Sequence, residues 1–131
     1  MATMTVVVVN EPGGLENIRI EDRDIPQPGP GQILVKVGYC GCNWADTQMR
    51  EGIYPHKTDY PLILGLEIAG EVIDVGPNVS HLKRGQRVTT LVEGGGYAQF
   101  CIADAGLATL VPEGFSLASA AAYPVQGLTA Y

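Results

Sequence analysis

The residues of this 131-residue chain with the most to offer chemically are uncharged. Asn43 stands just before residues 44–50, a stretch without glycine or proline that can wind two helical turns. A side-chain amide at that position can accept an orphan backbone N–H as an N-cap, and residue type alone favours this role. It can also donate to a ligand oxygen without carrying a charge into a low-dielectric cleft. Tyr54, just before Pro55, offers a ring to stack on a flat ligand and a hydroxyl to hydrogen-bond it; an ordinary half-buried tyrosine fits equally well. Asp46 is a lone carboxylate with no acid/base partner, which points to a structural role bonded within its helix or to nearby backbone donors.

The more reactive residue types form no constellation. The three cysteines, Cys40, Cys42 and Cys101, cannot pair completely, and neighbours two apart on a strand face opposite ways, so free thiols in a reducing compartment are expected. His56 and His81 have no companions at metal-ligand spacing, and no metal site is expected. No serine sits in a G-x-S-x-G elbow, which disfavours hydrolase chemistry. Gly29-Pro30-Gly31 and Gly94-Gly95-Gly96 lack the G-x-G-x-x-G spacing between a strand and a helix, so the chain has no evident seat for dinucleotide phosphates.

The elements that must position Asn43 and Tyr54 read mainly as strands. Residues 5–9 are a β-branched run ended by the turn signal Asn10-Glu11-Pro12-Gly13-Gly14, and residues 17–21 alternate behind it. Three prolines among residues 26–30 forbid regular structure. Residues 32–40 then read as a largely buried strand, expected at the centre of the sheet. After the helix at 44–50, with Gly52 as its stop, residues 67–75 form another strand, and residues 87–92 and 97–102 flank the triple-glycine turn as a hairpin would. Ser116 can cap an alanine-rich helix ended by Pro124, and a further helix is expected to begin near Gln126. Many short strands with glycine and proline punctuation indicate a β-barrel-like or sandwich fold with short helices.

Composition narrows the function classes. A hydrophobic content of 46% with 17% charged residues is that of one ordinary globular domain. A formal charge of −6, with no basic cluster larger than Lys83-Arg84, lacks the footprint of a nucleic-acid binder. The apolar run at residues 4–9 is far too short to cross a membrane, and residues 1–10 lack a basic region and cleavage site, so a cytoplasmic location is expected.

Three segments carry a family resemblance: Gly41-Cys42-Asn43-Trp44-Ala45-Asp46-Thr47 with the following residues to Pro55; Leu64-Gly65-Leu66-Glu67-Ile68-Ala69-Gly70-Glu71-Val72 with the following residues to Gly76; and the closing Pro124-Val125-Gln126-Gly127-Leu128-Thr129-Ala130-Tyr131. Together they resemble the N-terminal GroES-like domain of the medium-chain dehydrogenase/reductase superfamily, over residues 5–131. Zinc alcohol dehydrogenases of that superfamily have a cysteine where Asn43 stands and a histidine where Leu66 stands. The resemblance is therefore to the zinc-free quinone oxidoreductase branch.

That resemblance implies a mainly β, GroES-like barrel over residues 1–124. Residues 125–131 would begin a linking helix to a dinucleotide-binding Rossmann domain absent from this chain. It implies hydride transfer from NADPH, with NADH left open and no zinc, to a quinone or other activated alkene, and allows a homodimer of the full-length enzyme. It places Asn43 and Thr129 beside the nicotinamide and Tyr54 in the active-site cleft, the three expected cofactor-binding residues; no catalytic residue is assigned. Glu67 becomes a relic of the metal site or a hydrogen-bond acceptor. The chain is then expected to be a fragment that is inactive alone. The alternative is a truncated, non-catalytic GroES-like binding module.

Overall fold

The structure is a computed structural model describing residues 2–130. The N-terminal run forms β1 (Thr3–Val9), whose alternation buries Met4, Val6 and Val8. It pairs antiparallel with β2 (Ile18–Asp24) in unbroken register, from Thr3 opposite Asp24 to Val9 opposite Ile18. On its other side lies the two-residue strand β4 (Leu62–Ile63).

The second sheet holds β3 (Gln32–Cys40), β5 (Glu67–Val75), β6 (Arg87–Leu91), β7 (Phe100–Asp104) and β8 (Thr109–Leu110), in the order β7-β3-β5-β6-β8. The central strand is β5; β3 is one place towards the edge. The strands flanking the triple glycine do not form a hairpin: β6 pairs with β5 and β8, whereas β7 pairs with β3. The glycine segment instead crosses between them, with Gly95 N–H bonded to Ile63 O at 2.7 Å and Gly96 N–H to Gly65 O at 3.2 Å. Residues 97–99 then stitch the sheets together, because Val7 N–H donates to Tyr97 O (2.8 Å) and Val37 N–H to Gln99 O (2.9 Å).

Strand alternation sorts β5 into two faces. Ile68 and Val72 enter the main core with Ile33, Val35, Val88 and Cys101. Glu67 and Ala69 face the other way, where Ala69 packs on Val111, Ala120 and Ala121. The helix that covers this second face is α2 (Leu117–Ala121), capped as expected by Ser116, whose Oγ accepts from Ser119 N–H at 3.1 Å. It ends, as expected, just ahead of Pro124. The helix closes at Ala122, and Pro124 lies buried in the first turn of a π-helical segment, Tyr123–Gly127, where its missing N–H removes no bond. A short α3 (Leu128–Ala130) follows. The earlier helix, α1 (Trp44–Glu51), ends at Gly52 with φ +81°, a left-handed conformation that favours glycine.

Candidate functional site

Asn43 is fixed from both chain directions. The β3–β5 ladder runs on past Cys40, with Gly41 N–H donating to Glu67 O at 3.0 Å, and the chain then turns into α1 with Asn43 extended at the N-cap position. Asp46 reaches back to accept from Asn43 N–H at 2.9 Å, satisfying a donor that a helix start leaves free. Asp46 is buried, and its Oδ2 also accepts from the Tyr97 hydroxyl at 2.6 Å, while its Oδ1 has no partner among the described residues. Burial pushes the Tyr97 phenol well above its ordinary pKa, and the bonds to Asp46 and Cys42 push it further. Tyr97 thus remains a donor across the physiological range, and Asp46 has the structural role expected of it.

The Asn43 side chain does more than stand at a helix cap. Its Nδ2 donates to Glu67 Oε1 at 3.1 Å. The other oxygen of Glu67, Oε2, accepts from Val125 N–H at 2.7 Å, so one fully buried carboxylate joins the Asn43 loop to the C-terminal turn. Burying a carboxylate is costly without donors, and these two supply the compensation. Gln126 adds a second tie: its Nε2 lies 3.0 Å from Cys42 O and 3.5 Å from Asn43 Oδ1. Space for the carboxylate depends on Gly41, where a Cβ would come within 2.1 Å of Glu67 Oε1.

Tyr54 lies in the loop after α1 and packs against the buried cluster of Val9, Met49 and Leu64. It lines a cleft of about 540 Å³ with Met49, Leu62, Leu66, Val92 and Glu93, and its ring meets His56 edge-on at 5.4 Å between centroids. Thr129 is exposed on α3, three residues beyond Gln126. The structure therefore brings Asn43 to the C-terminal turn that leads to Thr129. Tyr54 sits in the neighbouring cleft, and among the described residues it has no hydrogen bond to either. Residue-type reasoning missed Gln126, the backbone of Val125 and the Tyr97–Asp46 pair. Each acts across more than fifty residues of sequence, which no local pattern records.

Among the described residues, no group of three or more His, Cys, Asp or Glu is placed to hold a metal. The donor set near Asn43 is a neutral amide bonded to a carboxylate, and Leu66 presents only an alkyl chain to the Tyr54 cleft. Burial raises the pKa of the Cys40 thiol and pushes that of Cys101 up to about 12, so neither offers a thiolate at neutral pH. The uncharged amides and hydroxyl of Asn43, Gln126 and Thr129 suit the carboxamide of a nicotinamide. No helix among the described residues is long and apolar enough to cross a membrane.

The chain matches the alcohol dehydrogenase GroES-like domain family over residues 29–113. It is 38% identical to a quinone oxidoreductase from Lama guanicoe over 130 residues, covering 98% of this chain and 39% of that protein. Its fold superposes on human synaptic vesicle membrane protein VAT-1 homolog-like protein with a TM-score of 0.96 at 30% identity, over 99% of this chain and 42% of that one. It also superposes on mycobacterial Rv1454c complexed with NADPH, with a TM-score of 0.87 at 38% identity, over 97% of this chain and 38% of that one. The chain thus spans between about three tenths and two fifths of the length of these proteins and of the VAT-1 homologs it also matches. With its mainly β architecture and its two packed faces of β5, the chain belongs to the alcohol dehydrogenase GroES-like domain family, in the medium-chain dehydrogenase/reductase superfamily that includes its quinone oxidoreductase and VAT-1 relatives.

Proposed function

We propose that this chain is the N-terminal, substrate-side portion of an NADPH-dependent, zinc-independent quinone oxidoreductase of the cytoplasm, acting on a small quinone or enone. Residues 125–131 would lead into a dinucleotide-binding domain of the kind the family carries. The observation that carries this reading is the chemistry at the two positions where zinc enzymes place ligands. Asn43 there is a neutral amide tied to Glu67, and Leu66 is an alkyl wall of the Tyr54 cleft. Identity to the Lama guanicoe quinone oxidoreductase and likeness to a fold complexed with NADPH support the same reading.

When bound, NADPH supplies the hydride. The residues of this chain orient and shield: Asn43 and Thr129 would hold the carboxamide of the nicotinamide, and Tyr54 would stack beside the reacting rings. Met49, Leu62, Leu66 and Val92 would exclude water from the cleft, which strengthens each polar contact inside it. Placing the ring and substrate correctly can supply about 7–11 kcal/mol of the lowered barrier in such a site. The cofactor's phosphates have no seat on this chain, so the reading assigns them to the second domain.

The test is NADPH oxidation with a quinone acceptor, measured for the 131-residue chain and for the complete enzyme that contains it. The expected result is negligible turnover by the chain alone and quinone-dependent oxidation by the complete enzyme. Turnover by a mass-verified 131-residue chain, or an inactive complete enzyme, would overturn the reading.

One observation favours the non-catalytic binding module as a second reading. Leu110, Phe115, Tyr123 and Leu128 are exposed apolar side chains, three of them beside or lining a largely apolar cleft of about 280 Å³ next to α2. In the oxidoreductase reading the second domain covers part of this surface. A complete protein containing this chain that binds neither NADPH nor quinone would favour the module instead.

A further inference from the structure

Glu67 touches both halves of the site, and its two oxygens are used differently. Oε1 takes the Asn43 side-chain nitrogen and Oε2 takes the Val125 backbone N–H. A carboxylate accepts and does not donate, so the amide beside it has to present its nitrogen. Gln126 gives the same sense from the opposite side, since its Nε2 faces Asn43 Oδ1. Two independent neighbours therefore fix which way the Asn43 amide is turned. The carboxylate lies in the interior, so the oxygen of Asn43 is turned away from it, toward the exposed Gln126 and the first turn of α1.

We propose that Glu67 is a positioning residue: its carboxylate clamps the Asn43 side-chain nitrogen and the Val125 N–H together, so that Asn43 turns its oxygen away from the carboxylate as an acceptor and the C-terminal turn is held in register with the Asn43 loop. Residue type alone favours a helix cap at Asn43 and also allows donation to a ligand oxygen; this geometry turns the oxygen away from the carboxylate, where it could accept from the N–H₂ of a carboxamide. That ligand-facing consequence rests on the nicotinamide reading above. The clamp itself does not, because it is made wholly by this chain.

The clamp depends on two acceptor oxygens in one side chain, which an isosteric amide cannot supply. In Glu67→Gln only one acceptor oxygen remains, so either Val125 N–H loses its bond or the Asn43 amide turns over to accept from the new N–H₂. Moving the carboxylate to the other partner restores every bond. In the double variant Asn43→Asp with Glu67→Gln, the new amide donates to the residue-43 carboxylate and accepts from Val125. The experiment is amide hydrogen exchange by NMR on the ¹⁵N-labelled 131-residue chain, reading Val125. Glu67→Gln should speed exchange at Val125 by about tenfold or more, as expected for loss of one hydrogen bond to a charged group, or, if Val125 keeps the oxygen, shift the Asn43 side-chain N–H₂ signals as that amide turns over. The double variant should return it to within about threefold of the parent.

A merely space-filling Glu67 would leave both Val125 exchange and the Asn43 side-chain N–H₂ signals parental in Glu67→Gln, and a merely charged one would give no recovery in the double variant; either result overturns the proposal. If Glu67→Gln alone does not fold, folding of the double variant supports the clamp, and its failure overturns it. A quinone oxidoreductase assay that fails leaves these exchange data untouched, so the two ideas fall separately.

Discussion

Gly41→Ala should be among the most damaging single-methyl additions to this domain, although Gly41 has no left-handed backbone to protect. The added Cβ would lie 2.1 Å from Glu67 Oε1, 2.5 Å from its Cδ and 2.6 Å from its Cγ. The end of a flexible exposed side chain would simply move aside. Glu67 is fully buried and held at both oxygens, so moving it breaks the bonds to Asn43 and Val125. Each hydrogen bond to a charged group contributes about 1.5–3 kcal/mol, so their loss costs about 3–6 kcal/mol. Against a typical domain stability of about 5–15 kcal/mol, that is a large fraction. Urea unfolding followed by circular dichroism measures it, with Gly106→Ala as a control. A Cβ at Gly106 meets only Asp104 Oδ1 at 3.2 Å on the exposed surface, and a change within about 1 kcal/mol is expected there. A Gly41→Ala variant within about 1 kcal/mol of the parent would show that the carboxylate is not held as described.

Tyr97→Phe removes a donor from Asp46, whose Oδ1 already lacks a partner among the described residues, and should cost about 1.5–3 kcal/mol. For a domain of this size that is a fall of about 5–10 °C in thermal midpoint, and an unchanged midpoint would contradict the role given to Tyr97. Cys101 holds its proton in the folded state up to about 12 but releases it from about 9 when unfolded. The folded state thus binds more protons in that window, and stability falls as pH rises through it, by up to about 1.4 kcal/mol per pH unit. Cys101→Ala should flatten the slope between pH 9 and 10, below the ordinary pKa of tyrosine; an unchanged slope would refute the assignment. Ser116→Ala deletes the cap bond to Ser119 N–H and should cost about 1 kcal/mol in urea unfolding.

Residue patterns revealed the strands and helices because their signals are local. The β-branched run before Asn10, the buried run before Gly41 and the Gly52 stop each declare themselves within a few positions. Pairing is not local. The triple glycine looks like a hairpin turn, yet the strands on either side of it pair with β5 and β3, because the buried faces of those longer strands need covering. Pro124 marks the end of α2 as its residue type implies, while the helical turn that resumes at Tyr123 tolerates it, because a first turn does not need its N–H.

The site was partly legible. Asn43 shows its N-cap position from residue type, and Glu67 shows itself as a candidate acceptor. That the two join, and that Val125 and Gln126 complete the junction, follows only once β5 carries Glu67 to the face beneath α2 and the π-helical turn. Tyr54 is legible as a ring near the site, but its neighbours Leu66 and Val92 come from separate strand ends.

The most direct test of the zinc-free reading is the quinone-dependent NADPH oxidation rate of the complete enzyme before and after exhaustive metal removal. With Asn43 and Leu66 at the two positions in question, the rate should be unchanged and added zinc should not raise it. A rate abolished by metal removal and restored by stoichiometric zinc would contradict the account.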